Sequence, residues 1–297
     1  MKIFSTLLLI IGSLISVNVQ AKLEIFTCEP EWAALAGELG GDLVNTFSAT
    51  TGKQDPHRIE ARPGLIAKIR QADLIVCTGA DLEAGWLPLL LNKSGNSKIQ
   101  AGKSGYFMAT DYIELLEKPV VLDRSQGDIH AAGNPHIHTS ARNIAQVAKA
   151  LNQRLIELDG ANADAYNRAW ADFNQRWSAA MTRWEQQAAN IKHRTFVVDH
   201  KSWIYLANWL QLDMRIAIEP RPGIPPTTEY LASLIATIKQ NNIQKIIYAA
   251  YSNPRAAQWL AGKTGATAVQ LPYTVGGDAN INNLFDLFDS TLQRLVN

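Results

Sequence analysis

Only two cysteines, Cys28 and Cys77, occur in 297 residues, so neither a disulfide framework nor a cysteine-rich zinc module can organise this fold. Charge of one sign is also missing: 28 Lys plus Arg stand against 27 Asp plus Glu. Without a basic excess there is no field to hold nucleic acid or an anionic membrane surface, and a small ligand is the expected cargo. Beyond residue 17 no long apolar run occurs, and a helix needs about 20 apolar residues to span a bilayer. The chain carries no His-Glu-x-x-His and no Gly-x-Ser-x-Gly, the signatures of zinc proteases and of nucleophile elbows. It also lacks internal repeats and low-complexity tracts.

What is present begins with an export signal. Met1-Lys2 is a positive start, Ile3 to Val17 is mostly apolar, and Val19-Gln20-Ala21 is a small-x-small cleavage site. Residues 1–21 are therefore expected to be a cleaved signal peptide that sends the chain to the periplasm with Lys22 first. The cleavage point has no cysteine to carry a lipid. In an oxidising compartment Cys28 and Cys77 can form a bridge if their strands are neighbours, or remain two buried thiols.

The mature chain suits two domains of ordinary size. Short β-type runs LEIFTC, LVNTFSA, ADLIVCTG and VVLD alternate with helical stretches at Trp32 to Leu39 and Arg62 to Gln71. After residue 190 the runs RTFVVDH, MRIAIEP, KIIYAAY and ATAVQLPY alternate with helical patterns at Trp203 to Leu210, Thr228 to Asn241, Pro254 to Thr264 and Asn283 to Leu295. Such alternation predicts parallel βαβ units. The fold class expected is α/β, with two lobes, each a small mostly parallel sheet flanked by helices, joined by one long backbone helix. The N-terminal lobe spans 22–142, the linking helices 143–190 and the C-terminal lobe 191–297. Within the linker, Tyr166, Trp170, Phe173, Trp177, Met181 and Trp184 recur at helical spacing, an aromatic face expected to pack as a core spine.

Histidines are few, and five of the six fall in loops or at strand ends: His57 in Asp55-Pro56-His57, His130, His136 and His138 in GDIHAAGNPHIH, and His200 after the strand Phe196 to Asp199. Ligands of open α/β sheets bind beyond the carboxyl ends of the strands, so His57 and His200 can reach one shared point from two lobes. Three neutral imidazoles with one further donor suit tetrahedral Zn(II), whereas manganese wants more carboxylate oxygen. Glu60 and Glu219 are candidate acceptors for the second nitrogen of a ligand imidazole. The turn at 220–226, PRPGIPP, resists helix and strand and is expected to be a rigid connection.

These residues resemble the zinc and manganese receptors of metal ABC importers, especially the zinc-binding branch with this form of histidine loop. The resemblance runs through CEPEWAALAGELGG, DPHRIEARPGLI, ADLIVCTGADLEAGWLP, GDIHAAGNPHIH, VVDHKSW, EPRPGIPP and VGG, essentially the whole mature chain. It implies one metal in an interlobe cleft, held by His57 and His136 from the first lobe and His200 from the second. The family's fourth ligand is an acid near the start of the last helix, and this sequence departs there, with Asn282 and Asn283 in the aligned stretch. Asp278 is the favoured substitute, with His138, His130, Asn282, Asn283 and water as alternatives. The function implied is a non-enzymatic, monomeric periplasmic receptor that delivers Zn(II) as cargo to an ABC-type permease, with a zinc metallochaperone as a further partner. The rivals are a manganese receptor and a secreted zinc hydrolase, the latter with Glu60 as its one nameable base.

Overall fold

The computed structural model describes residues 21–119, 127 and 130–297; the signal segment through residue 20 and the expected strand at 120–123 lie outside them. In the first lobe β1 (Leu23–Thr27), β2 (Val44–Ser48), β3 (Leu74–Cys77) and β4 (Tyr106–Met108) form a parallel sheet in the order β2-β1-β3-β4. Helices α1 (Pro30–Gly40), α2 (Pro63–Gln71) and α3 (Leu87–Ser94) accompany it. A parallel sheet is covered on both faces, so its central strand can be wholly apolar. Leu74, Ile75, Val76 and Cys77 of β3 are each fully buried.

Two helices follow, α4 (Ala141–Leu158) and α5 (Ala163–Ala188). The second lobe repeats the topology of the first. Its strands β5 (Thr195–Val198), β6 (Asp213–Ala217), β7 (Lys245–Ala249) and β8 (Thr267–Leu271) are parallel in the order β6-β5-β7-β8, with α6 (Ile204–Leu210), α7 (Thr228–Gln240), α8 (Arg255–Thr264) and α9 (Leu284–Val296) around them. The expected α/β class, two parallel sheets and long linking helix are all present.

Two elements escape the sequence reading. Strand β4 forms at Tyr106–Met108, and its three residues are too few to show an alternation. Helix α3 covers LPLLLNKS, a short apolar run in which helix and strand share the same pattern.

The aromatic face of α5 is the spine of the molecule. Tyr166, Phe173, Trp177 and Trp184 are buried within a single core that also holds Trp32 and Leu74 of the first lobe and Val198 and Ile247 of the second. Trp177 meets Phe285 edge-on at 4.9 Å, and Trp184 lies 5.0 Å from Phe288. Both indole N–H groups are satisfied, Trp177 on the Ala141 carbonyl at 2.8 Å and Trp184 on Asp289 at 2.6 Å. A core shared by both lobes fixes their relation, because opening them would expose these rings.

Cys28 and Cys77 close a disulfide. Their strands are neighbours, since Thr27 pairs with Val76 in the β1–β3 ladder, and their Cα atoms lie 4.8 Å apart.

Candidate metal centre

His57 sits in the loop after β2, where Asp55 sets its position twice. The Asp55 carboxylate accepts the His57 backbone N–H at 3.0 Å and its Nδ1–H at 2.8 Å. The intervening Pro56 carbonyl is pinned by the buried Trp86 indole at 2.9 Å. Burial works against the Asp55 charge, but the hydrogen bonds and charge of His57 hold its carboxyl below the usual range.

His136 is fully buried just before α4. Its backbone N–H donates to the Asn134 side chain at 3.0 Å, and its Nδ1 lies 2.8 Å from the Tyr273 hydroxyl. Asn134 ties this loop to the second lobe: its amide donates to the Lys201 carbonyl at 2.8 Å, and its own carbonyl accepts from the Tyr205 hydroxyl at 2.7 Å.

His200 comes from the carboxyl end of β5, the strand flanked by β6 and β7, where the order of connections reverses direction. Its Nδ1–H donates to Glu219 at 2.7 Å, and Glu219 also accepts the Gly223 amide at 2.9 Å from the proline-rich turn. Asp199 underneath accepts the amides of His200 and Ala249, and burial raises its own carboxyl.

These three loops bring one nitrogen each of His57, His136 and His200 within 4.8 Å of one another. A carboxylate only accepts hydrogen bonds, so Asp55 and Glu219 place the proton of their imidazoles on Nδ1 and leave Nε2 as the donor lone pair. His136 Nε2 and His200 Nε2 are 3.2 Å apart. Two nitrogens on one tetrahedral zinc, each at 2.0–2.1 Å, stand about 3.3 Å apart. Burial and the neighbouring imidazoles push His136 well below its usual value, which favours the neutral, metal-ready form. Burial acts the same way on His200, but the Glu219 and Asp199 carboxylates outweigh it and raise that group.

The other candidates are placed as follows. Asp278, expected as fourth donor, is not in this group. Its carboxylate pairs with Arg294 of α9 and accepts the Ala279 amide, while the surrounding turn closes through Gly276 N–H to the Ile281 carbonyl at 2.8 Å. Asn283 caps α9, accepting the Asp286 amide at 2.9 Å, and Asn282 is exposed. His138 is buried behind the site, its Nε2 3.1 Å from the Tyr273 carbonyl and its Nδ1 3.3 Å from Glu31. Of the two acceptors named from sequence, Glu219 holds the His200 imidazole and Glu60 is exposed. His193 is not in this group; its backbone N–H donates to the Gln211 carbonyl. Sequence reasoning missed Asp55 and Tyr273; the first had a signal, an acid two residues before a loop histidine, and the second had none.

His130 reaches one member of the cluster, His57, and like Asp278 is not among the three donors mutually within 4.8 Å. Its Nε2 lies 3.2 Å from His57 Nε2, and it lines a cavity of about 310 Å³ together with His136 and His200. Burial and the His57 charge lower it to about 4.

Residues 25–297 match the family described as "Zinc-uptake complex component A periplasmic". The chain belongs to this family. It is 24% identical over 230 residues to the manganese ABC transporter substrate-binding lipoprotein PsaA of Streptococcus pneumoniae, covering 76% of this chain and 71% of that protein. It is 22% identical over 216 residues to the high-affinity zinc uptake system protein ZnuA of Bacillus subtilis, covering 71% and 66%. A crystal structure of ZnuA matches with a TM-score of 0.77 at 23% identity over 93% of this chain and 98% of that one. The protein is thus a metal-binding receptor of the ABC-importer class, whose members work with a membrane permease and ATPase rather than as enzymes. Among the described residues no helix is long and apolar enough to cross a membrane.

Proposed function

We propose that this chain is a zinc receptor that binds one Zn(II) at His57, His136 and His200, captures it in the periplasm after export and signal cleavage, and hands it to the permease as a monomer. A periplasmic zinc metallochaperone is the partner that would load it. The observation that carries this reading is the convergence of three imidazole nitrogens from two lobes, each ring held from behind by Asp55, Tyr273 or Glu219. Preset imidazoles favour zinc because it is a borderline ion content with nitrogen, while manganese prefers carboxylate and water oxygen. Relatives named for zinc and for manganese both exist, so the donor set decides the choice of cargo.

Of the carboxylates considered among the described residues, Glu60 is exposed, and Asp55 and Glu219 are engaged on imidazoles. The test is elemental analysis and competition titration of the mature protein and of His57→Ala, His136→Ala and His200→Ala. One zinc per chain, preferred over manganese and weakened by each substitution, supports the reading. Binding that is indifferent to the three changes, or tighter for manganese, overturns it.

A further inference from the structure

The donor set of three imidazoles leaves a fourth position, and the groups expected there are occupied elsewhere. Asp278 is on Arg294, Asn283 caps α9, and His138 is wedged between Tyr273 and Glu31. Glu117, which lines the same cavity, pairs with Lys201 at 3.1 Å. Among the described residues, His130 is the remaining imidazole that lines this cavity.

We infer that His130 is the fourth ligand, making the centre an all-imidazole, four-nitrogen site. The inference rests on the metal reading above. Its Nε2 stands 3.2 Å from His57 Nε2, the same separation that His136 keeps from His200. The His130 and His57 rings are 5.3 Å apart between centroids, as are those of His136 and His200. The two pairs share these separations but not their tilt, 41° between the ring planes of His130 and His57 against 83° for His136 and His200. His130 also stands outside the three nitrogens that lie mutually within 4.8 Å, so the assignment requires its ring to turn inward on loading. Asp55 holds the far nitrogen of His57, so the nitrogen that meets His130 is the lone-pair side of that ring.

His130 Nδ1 is buried and makes no hydrogen bond among the described residues, and the loop after β3 is its neighbour. Gly79, Ala80 and Asp81 run consecutively at positive φ, 86°, 48° and 65°, a strained path for the two residues with a Cβ. Glu83 holds it by accepting the amides of Thr78 at 2.7 Å and Gly79 at 3.1 Å. The β3 loop is thus shaped beneath His130.

A neutral four-nitrogen set carries a consequence for selectivity. It offers no anionic oxygen, so it disfavours Mn(II) more than a site with three imidazoles and a carboxylate would. Replacing His130 by an acid should move the site toward manganese.

The experiment compares the mature wild type with His130→Ala, His130→Asp and His136→Ala. X-ray absorption of the zinc-loaded protein should count four imidazoles in the wild type and three plus oxygen in His130→Ala. Zinc affinity in His130→Ala should fall by at least about tenfold, the scale on which even outer-sphere losses act. His130→Asp should raise the Mn(II) to Zn(II) affinity ratio above that of the wild type. Circular dichroism melts of the apo proteins should coincide, separating ligand loss from misfolding. An unchanged imidazole count and affinity in His130→Ala, while His136→Ala loses zinc, overturns the fourth donor and leaves the receptor reading standing. Loss of neither would overturn both.

Discussion

Glu219 accepts the Nδ1–H of His200 at 2.7 Å and is itself pinned by the Gly223 amide of the proline-rich turn. The turn therefore does more than connect: it fixes the acid that sets the tautomer of His200, the candidate donor of the second lobe. Losing such an outer acceptor commonly costs metal sites about 10–100-fold in affinity. Glu219→Gln keeps the size but weakens the acceptor, and zinc affinity is expected to drop within that range without loss of the folded state. Competition titration alongside a thermal melt checks it; equal affinity would show that Glu219 does not orient His200.

Asp278→Ala should leave zinc affinity unchanged, because its carboxylate is spent on Arg294 and the Ala279 amide. Both partners are partly exposed, where ion pairs contribute little. A marked loss of zinc in this variant would mean that the turn at 276–281 reorganises on loading to deliver an oxygen donor.

The Cys28–Cys77 bond closes a chain segment with a sequence separation of 49. On the chain-entropy scale a loop of that size stabilises by roughly 4 kcal/mol. Cys28→Ser with Cys77→Ser should therefore lower the unfolding midpoint markedly, and the β3 loop that begins at Thr78 should show faster amide exchange. Chemical denaturation and hydrogen exchange of the double variant measure both. A midpoint like that of the wild type would show that the two buried strands hold without the bridge.

How much of this could be read from sequence depends on the range of the signal. The strands of both sheets, apart from β4, announce themselves as apolar runs, because a sheet covered on both faces needs local hydrophobicity at each strand. The convergence of His57, His136 and His200 was legible because loop position and family motif coincide. The role of His138 was not: only the fold shows that it faces Glu31 and the Tyr273 carbonyl rather than the cleft. Tyr273 is 137 residues from the imidazole it supports, and no local pattern encodes such a partner. Asn283 illustrates the opposite case: it lies in the stretch where the resemblance led to the expectation of an acid, and it caps α9.

Glu29 and Glu83, buried beside Thr78 in the first lobe, make one contribution to the pH dependence of stability. Burial, reinforced by the charges of Glu83 and Glu31, raises Glu29 well above the usual carboxyl range, and burial raises Glu83 to about 7. The two titrate as a pair. In the unfolded chain both return to the ordinary glutamate value near ~4.3, so between that pH and about 7 the folded state binds more protons. Stability from this source is fully present below the unfolded value and is lost as pH rises through the folded ones. The double variant Glu29→Gln with Glu83→Gln cannot ionise there. Its urea midpoint, relative to wild type, should therefore improve steadily from pH 5 to pH 8. Glu29→Gln alone should be well tolerated at neutral pH, since the amide copies the size and neutrality of a protonated carboxyl and can still accept from the Thr78 hydroxyl, which Glu29 holds at 2.9 Å. A difference between wild type and double variant that is flat with pH would show that the pair ionises alike in the folded and unfolded chain.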